Sequence, residues 1–460
     1  MLRRVMAATA AVLAVSLAVP QGALAGPPPP GAISKNVKFV TNIPEMEQAI
    51  SIAFIKDTMF VSTVHGLYSY DVSDPAAPQL LGALPMYIWE NEDMTVDVES
   101  NLIFISRDPR GFTTHVTPGS TFPYGAVHII SVKNPAAMVQ LNVIPLPAGH
   151  TTTCINKCDF IWTSGPYANS VTQPGWTGRP IFATDVRNPH EPVACPKPID
   201  TKRNDGVTDY VHDVQVDPNG IAWVSGAGGV RGYWTSGRHR NPVTGKMQDA
   251  TGCKPIPYAG GGTPEGATPS RFMHNSWHNP KVKIGDRRGD VLYATEEELS
   301  SACASSGRFA TYDLKGSYHG EGFKNIDKTR FRMKVLDTWT PEGAPGATGC
   351  ASAHYLSDRG DGLLAYAFYG QGTRFLDASN PKNIRQVGYF RPDDANTWAP
   401  YWHKGYVFIA DRARGVDIIK LKSGSGRKTV ATPIDLSAYG TSMEMDENLG
   451  YLCPLPISER

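Results

Sequence analysis

The chain is predicted to be all-β: a single seven-bladed β-propeller of four-stranded blades, with an N-terminal strand closing the last blade. Helical periodicity is almost absent from the 460 residues. What recurs is a short strand, a tight turn, an apolar β-rich strand, a second turn, a third strand and an Asp/Asn-Pro corner. The clearest copy is MFVSTVHGLYSYDVSDPAAPQLLGALP (59–85), with relatives at 126–147, 180–198, 372–392 and 414–424. One four-stranded sheet cannot bury both of its faces, so repeats of this kind stack into a closed ring.

Counting inner strand pairs gives seven blades, starting near Ala49, Asp93, His150, His212, His274, His354 and Trp398. Blade seven lacks an outer strand, because Leu421 is followed by the polar run Lys422 to Lys428. VKFVTNIP (37–44) resembles the outer strands LLGALP and VGYFRP yet precedes blade one, so it is expected to complete blade seven. TSMEMDENLGYLCP (441–454) mimics an inner pair and leaves eight blades as the alternative.

Arg3 and Arg4, the apolar run Val5 to Val19 and Ala23-Leu24-Ala25 read as a secretory signal over 1–25. That run is short for a membrane span, and no later stretch is long and apolar enough to be one. The expectation is a secreted protein, extracellular or held in the cell envelope, of bacterial pattern. Residues 26–33, with Pro27 to Pro30, read as a stiff linker. The propeller is assigned to 34–424 and a C-terminal extension, packed on or closing it, to 425–460. Insertions at 107–124, 232–270, 299–308 and 315–346 are rich in Gly, Pro, Ser and charge, and read as surface loops covering one face of the ring.

A net charge of +1 gives no electrostatic case for nucleic acid or anionic lipid. The seven cysteines should mostly pair in an oxidising compartment. Cys154 and Cys158 flank a tight turn and are expected to bridge; Cys195 with Cys253 and Cys303 with Cys350 are the other candidates, leaving Cys453 odd. A zinc site is the alternative for the CxxxC, although no second pair stands at finger spacing. No GxSxG, Walker A, HExxH or paired CxxC is present.

Four histidines open the inner strands of four successive repeats: His150, His212, His274 and His354. His150, His212 and His354 each stand eight positions before Cys158, Gly220 and Gly362, and only the longer turn after His274 departs. In a propeller, equivalent positions point into one channel. The matching places hold Glu47 or Gln48 in blade one, Glu92 or Asp93 in blade two, and Thr397 or Trp398 in blade seven. Imidazoles converging with carboxylate suit a divalent transition metal, Zn, Cu or Fe. The competing expectation is that each histidine bonds a neighbouring blade's backbone and no cofactor is held. Asp93, Glu297 and His278 are candidates to support such a centre. Strand alternation turns either Glu297, or both Glu296 and Glu298, inward. Asp213 adjoins His212, but alternation sends its side chain to the other face. Arg374 and Arg414 are expected to brace blade junctions, and His403 to be exposed at the far end of its strand.

DVSDPAAPQLLG, DASNPKNIRQVGYF and the strands GLYSYD, GTRFLD and GVDIIKL resemble the LVIVD repeat of exported and cell-surface bacterial propellers. The resemblance covers blades one, two, three, six and seven and degrades in four and five. In architecture and channel histidines the chain is more distantly similar to the selenium-binding/methanethiol oxidase propellers, with no catalytic motif aligned. The expected function is a binding module whose loops engage a cell-surface protein, a glycan or a small molecule, with a histidine-lined mouth able to hold a metal. The alternative is a metal-dependent oxidoreductase or hydrolase acting there.

Overall fold

In a computed structural model, residues 31–109, 111, 125–165, 180–199, 201, 211–226, 229–242, 244–264, 271–298, 307–315, 332–341 and 352–422 are described. The signal and C-terminal segments expected from the sequence lie outside these residues, as do Cys303, Cys350 and Cys453.

Seven antiparallel four-stranded sheets follow one another along the chain. From inside out, blade one is Ala49–Ile55, Thr58–Thr63, Gly66–Asp71 and Gln79–Pro85. Blade two runs Thr95–Asp97, Leu102–Arg107, Gly125–Ser131 and Val139–Leu146, and blade three Thr151–Ile155, Phe160–Ser164, Phe182–Asp185 and Val193–Ala194. Blade four runs Val211–Val216, Ile221–Gly226, Gly229–Trp234 and Ile256–Pro264, and blade five Arg271–His278, Val291–Glu298, Phe309–Asp313 and Arg332–Trp339. Blade six is Leu356–Asp358, Leu363–Ala367, Thr373–Asp377 and Arg385–Pro392. Blade seven has only three strands from its own stretch, Thr397–His403, Tyr406–Asp411 and Gly415–Leu421. Its fourth is Val37–Ile43, in register from Val37↔Leu421 to Ile43↔Val416, so the ring closes as the sequence implies. Gly31–Ile33, read above as the end of a linker, instead adds a fifth strand to blade six through Gly31↔Pro392 to Ile33↔Phe390.

The core is a cycle of apolar layers, each between two neighbouring blades. Val61 and Met59 of blade one meet Phe408 and Ile418 of blade seven. Phe60 and Leu67 meet Ile103 and Ile105 of blade two on the other face. The series continues with Phe104 against Ile161, Trp162 against Val214, Trp223 against Leu292, Tyr293 against Leu364, and Phe375 against Ile409. Both faces of every blade are therefore apolar, which is why the second strands read as continuous hydrophobic runs rather than alternating ones.

The recurring corner has a local cause. In the Asp-x-Ser-Asp-Pro motif Asp71 Oδ1 accepts from Ser73 N at 2.8 Å and Asp74 Oδ1 from Ala76 N at 3.0 Å. Asp377 and Asn380 repeat the pair, with Ser379 N and Lys382 N at 3.1 and 3.2 Å. Two successive Asx turns reverse the chain at these corners, and Asp185 and Asn188 do the same in blade three.

Cys154–Cys158 and Cys195–Cys253 form disulfides, the second spanning 58 residues and the first only 4. Two bridges fit a protein made for an oxidising compartment. Loop closure assigns about 4 kcal/mol to the longer bridge and about 2 kcal/mol to the shorter. Denaturant melts of Cys195→Ser/Cys253→Ser should therefore lose roughly twice what Cys154→Ser/Cys158→Ser loses. Equal losses would contradict the loop-closure account.

Candidate metal centre on the propeller axis

The innermost strands bring seven equivalent residues to the axis: Ile50, Glu92, His150, His212, His274, His354 and Trp398, all at most 1% exposed. In blades one, four, five and seven the inner strand's register slips by one residue at this position, skipping Ile50, His212, His274 and Trp398. A bulge sets two successive residues opposite one and re-aims their side chains. Alternation thus fails where the sequence relied on it. Asp213 turns into the channel behind His212, where Asn275 Nδ2 donates to its Oδ2 at 2.8 Å. The blade-one position is Ile50, not Glu47 or Gln48; Glu47 is exposed, and Gln48 uses its backbone N–H on Arg412 O at 2.9 Å.

Glu92 comes from the connection into blade two. Trp89 (φ 59°) and Asp93 (φ 54°) are both left-handed and bracket Glu90-Asn91-Glu92, driving that segment inward. Such backbone persists only when its surroundings over-determine it. Asn91 Nδ2 donates to Thr63 O and Trp89 O at 3.2 and 2.8 Å, and Glu90 pairs with Arg412 at 3.2 Å.

All four imidazoles aim Nε2 at Glu92. Its Oε2 stands 3.2 Å from His274, 3.5 Å from His150 and 3.6 Å from His212, and its Oε1 3.4 Å from His354. On the far side of three rings Nδ1 is tied to an acceptor: His150 to Asp108 Oδ2 at 2.8 Å, His212 to His274 O at 3.0 Å, and His354 to Trp398 O at 2.8 Å. An acceptor at Nδ1 fixes the proton there and leaves the Nε2 lone pair facing the axis. His150 Nε2 and His212 Nε2 are 3.0 Å apart. Such a pair is satisfied either by a proton shared between the two nitrogens or by a cation between them.

The ligand atoms form the sets Glu92–His150–His212 and Glu92–His274–His354, each within 4.8 Å mutually. This buried cluster of imidazoles and carboxylate could bind a metal. Gly165 (φ +99°) makes the approach to His150 feasible, because a Cβ there would lie 2.1 Å from His150 Cβ.

Glu297 faces the cluster, its Oε2 3.9 Å from His274 Nε2, and Tyr369 OH donates to its Oε1 at 2.5 Å. Glu296 turns away to Arg308 Nε at 2.5 Å and Tyr312 OH at 2.7 Å. Asp93 points along the channel to Gln215 Nε2 at 2.5 Å, away from the imidazoles. His278 lies elsewhere, its Nδ1 on Asp217 Oδ2 at 2.5 Å and its Nε2 on Gly289 O at 2.8 Å. His403 is half-buried rather than exposed, stacked on Phe54 at 4.0 Å between centroids. Arg374 is buried within its own blade, donating to Gln371 O at 2.8 Å, and Arg414 joins Asp417 and Asp394. Asp108 and Tyr369 are the residues that sequence reasoning missed.

Burial disfavours charge on Glu92, yet the imidazoles of His150, His354 and His274 outweigh it and hold the carboxyl well below its usual range. Burial, and then His274 beside it, holds His212 well below 6.5. Burial and then His354 push His274 down to about 3.

No family model matches the chain, and no curated protein matches it. Among solved structures, a periplasmic gluconolactonase of Pseudomonas aeruginosa is similar at 14% identity and a TM-score of 0.53, over 79% of this chain and 90% of that one. The extracellular domain of a one-component system from B. thetaiotaomicron gives 10% identity and 0.49, over 84% and 40%. BamB from Moraxella catarrhalis gives 11% and 0.45, over 84% and 98%. The likeness to the gluconolactonase is one of fold. Among the described residues no helix is long and apolar enough to cross a membrane.

Because His212 and His274 stay neutral in the fold but take up protons near 6.5 when unfolded, the unfolded state gains protons first as the pH drops. Their contribution to metal-free stability is complete above about pH 6.5 and is lost toward about pH 3. Urea melts of chelated wild type should weaken between about pH 6.5 and 5, and those of His212→Gln/His274→Gln should weaken less. Parallel curves would contradict these assignments.

Proposed function

We propose that the chain is an exported propeller of the LVIVD-repeat kind whose four histidines hold one first-row transition ion, and that it acts there as a metal-dependent oxidoreductase. The convergence of four buried Nε2 atoms on Glu92 carries this reading. Four imidazoles with a carboxylate beside them exceed the four ligands of tetrahedral zinc, which favours iron or copper. Four imidazoles would also fill a tetrahedral ion, whereas a catalytic zinc keeps a position for water. This argues against the hydrolase alternative.

His150, His212, His274 and His354 would hold the ion by Nε2. When bound, it would supply one-electron or dioxygen chemistry. Asp108 orients His150, and the carbonyls of His274 and Trp398 orient His212 and His354. Glu92 supplies the nearest negative charge and can take a proton at Oε1 or Oε2. Tyr369 fixes Glu297 with its second oxygen toward His274. Ile50 and Trp398, in an apolar group with Val64 and Tyr369, keep water from the remaining side of the ring.

A second reading is a binding module with a static ion, favoured by the burial of all four imidazoles and Glu92. Metal analysis of untagged protein, with azide titrated into its optical and electron paramagnetic resonance spectra, separates the readings. The oxidoreductase predicts about one iron or copper per chain, absent from the quadruple His→Ala variant, and a spectrum that azide shifts. A stoichiometric ion blind to azide would favour the static module. Protein without stoichiometric metal would overturn both.

A further inference from the structure

A second layer of the channel lies three residues along each inner strand from the histidines. Gln215, Trp277, Ser357 and Tyr401 follow His212, His274, His354 and Trp398 by three positions, an advance of about 10 Å. They line a cavity of about 190 Å³ with Asp93, Tyr355 and Asp358. Its walls are aromatic, and Asp93 and Asp358 are the charges facing it. None of the lining residues is a lysine or arginine. The Tyr355 ring separates it from the metal centre, with centroids 4.9 and 5.0 Å from His274 and His354.

The cavity's polar groups are not balanced internally. Among the described residues Asp93 Oδ2 takes an amide donor, Gln215 Nε2, at 2.5 Å, and no cationic side chain. Asp213 behind it takes Asn275 Nδ2 and the same Gln215 amide at 2.8 and 3.2 Å. Among the described residues Tyr355 OH, in a side chain 7% exposed, has no hydrogen-bond partner. Asp93, Gln215, Trp277 and Tyr401 are partly exposed, so solutes reach the cavity.

We infer that this cavity is a binding site for a small organic ammonium ion, held between the Asp93 carboxylate and the faces of Trp277, Tyr355 and Tyr401. A carboxylate among aromatic faces is the chemistry that recognises substituted ammonium groups. Asp358 already accepts from Asn279 Nδ2 and from the Gly360 and Gly362 N–H groups, which leaves Asp93 as a single carboxylate for an inorganic divalent cation, and such a cation gains less from the indole. The site is distinct from the histidine centre and does not require its metal.

The test is calorimetric titration of the full chain with choline, its neutral isostere 3,3-dimethylbutan-1-ol, and calcium. Choline should bind at least about tenfold more tightly than the isostere, and calcium should not displace it. Asp93→Asn should weaken choline about tenfold while leaving the isostere unchanged; Trp277→Leu serves the same purpose if the first variant does not fold. Chelated protein should bind choline as the untreated protein does, which separates this site from the metal centre. No choline binding, equal affinity for the isostere, or displacement by calcium would each overturn the inference.

Discussion

Pairing of Val37–Ile43 with Gly415–Leu421 makes the first and last parts of the fold one sheet, and this closure sets the geometry of everything inside it. An open stack of blades could twist apart. A closed ring of seven leaves each blade touching two neighbours through an apolar layer, with the blade seven/blade one layer as continuous as the rest. Seven equivalent residues then converge on the axis.

What converges is unusual in its asymmetry. Four adjacent blades, three to six, supply imidazoles, blade two a carboxylate, and blades seven and one an apolar wall of Trp398 and Ile50. Burial would expel charge from such a place, and the imidazoles His212 and His274 do remain neutral there. Four Nε2 atoms gathered around a carboxylate form a cluster that could bind a metal. The backbone supports this in the left-handed turns at Trp89 and Asp93 and in the bulges at His212 and His274.

The architecture was legible because it repeats. The apolar second strands, the Asx-turn corners and the equal spacing from His150, His212 and His354 to the next turn are periodic signals, and an outer-type strand before blade one announced the closure. The centre was only partly legible. The four histidines stood in phase, and Glu92 was one of two choices. Asp213 was misjudged because a bulge breaks the alternation that period-two reasoning assumes. Asp108 and Tyr369 carry no local signal: each sits at the end of a second strand and meets the centre only across a blade boundary. Glu47 and Gln48 do not reach the axis because the turn at Pro44–Met46 moves the start of blade one past them, to Ile50.

Crystals of the untagged protein, measured on both sides of the iron and copper absorption edges, test the central claim most directly. One anomalous peak on the axis is predicted, about 2.1 Å from Nε2 of each of His150, His212, His274 and His354. A channel without a peak, or a peak reached by fewer than three of those nitrogens, would contradict it.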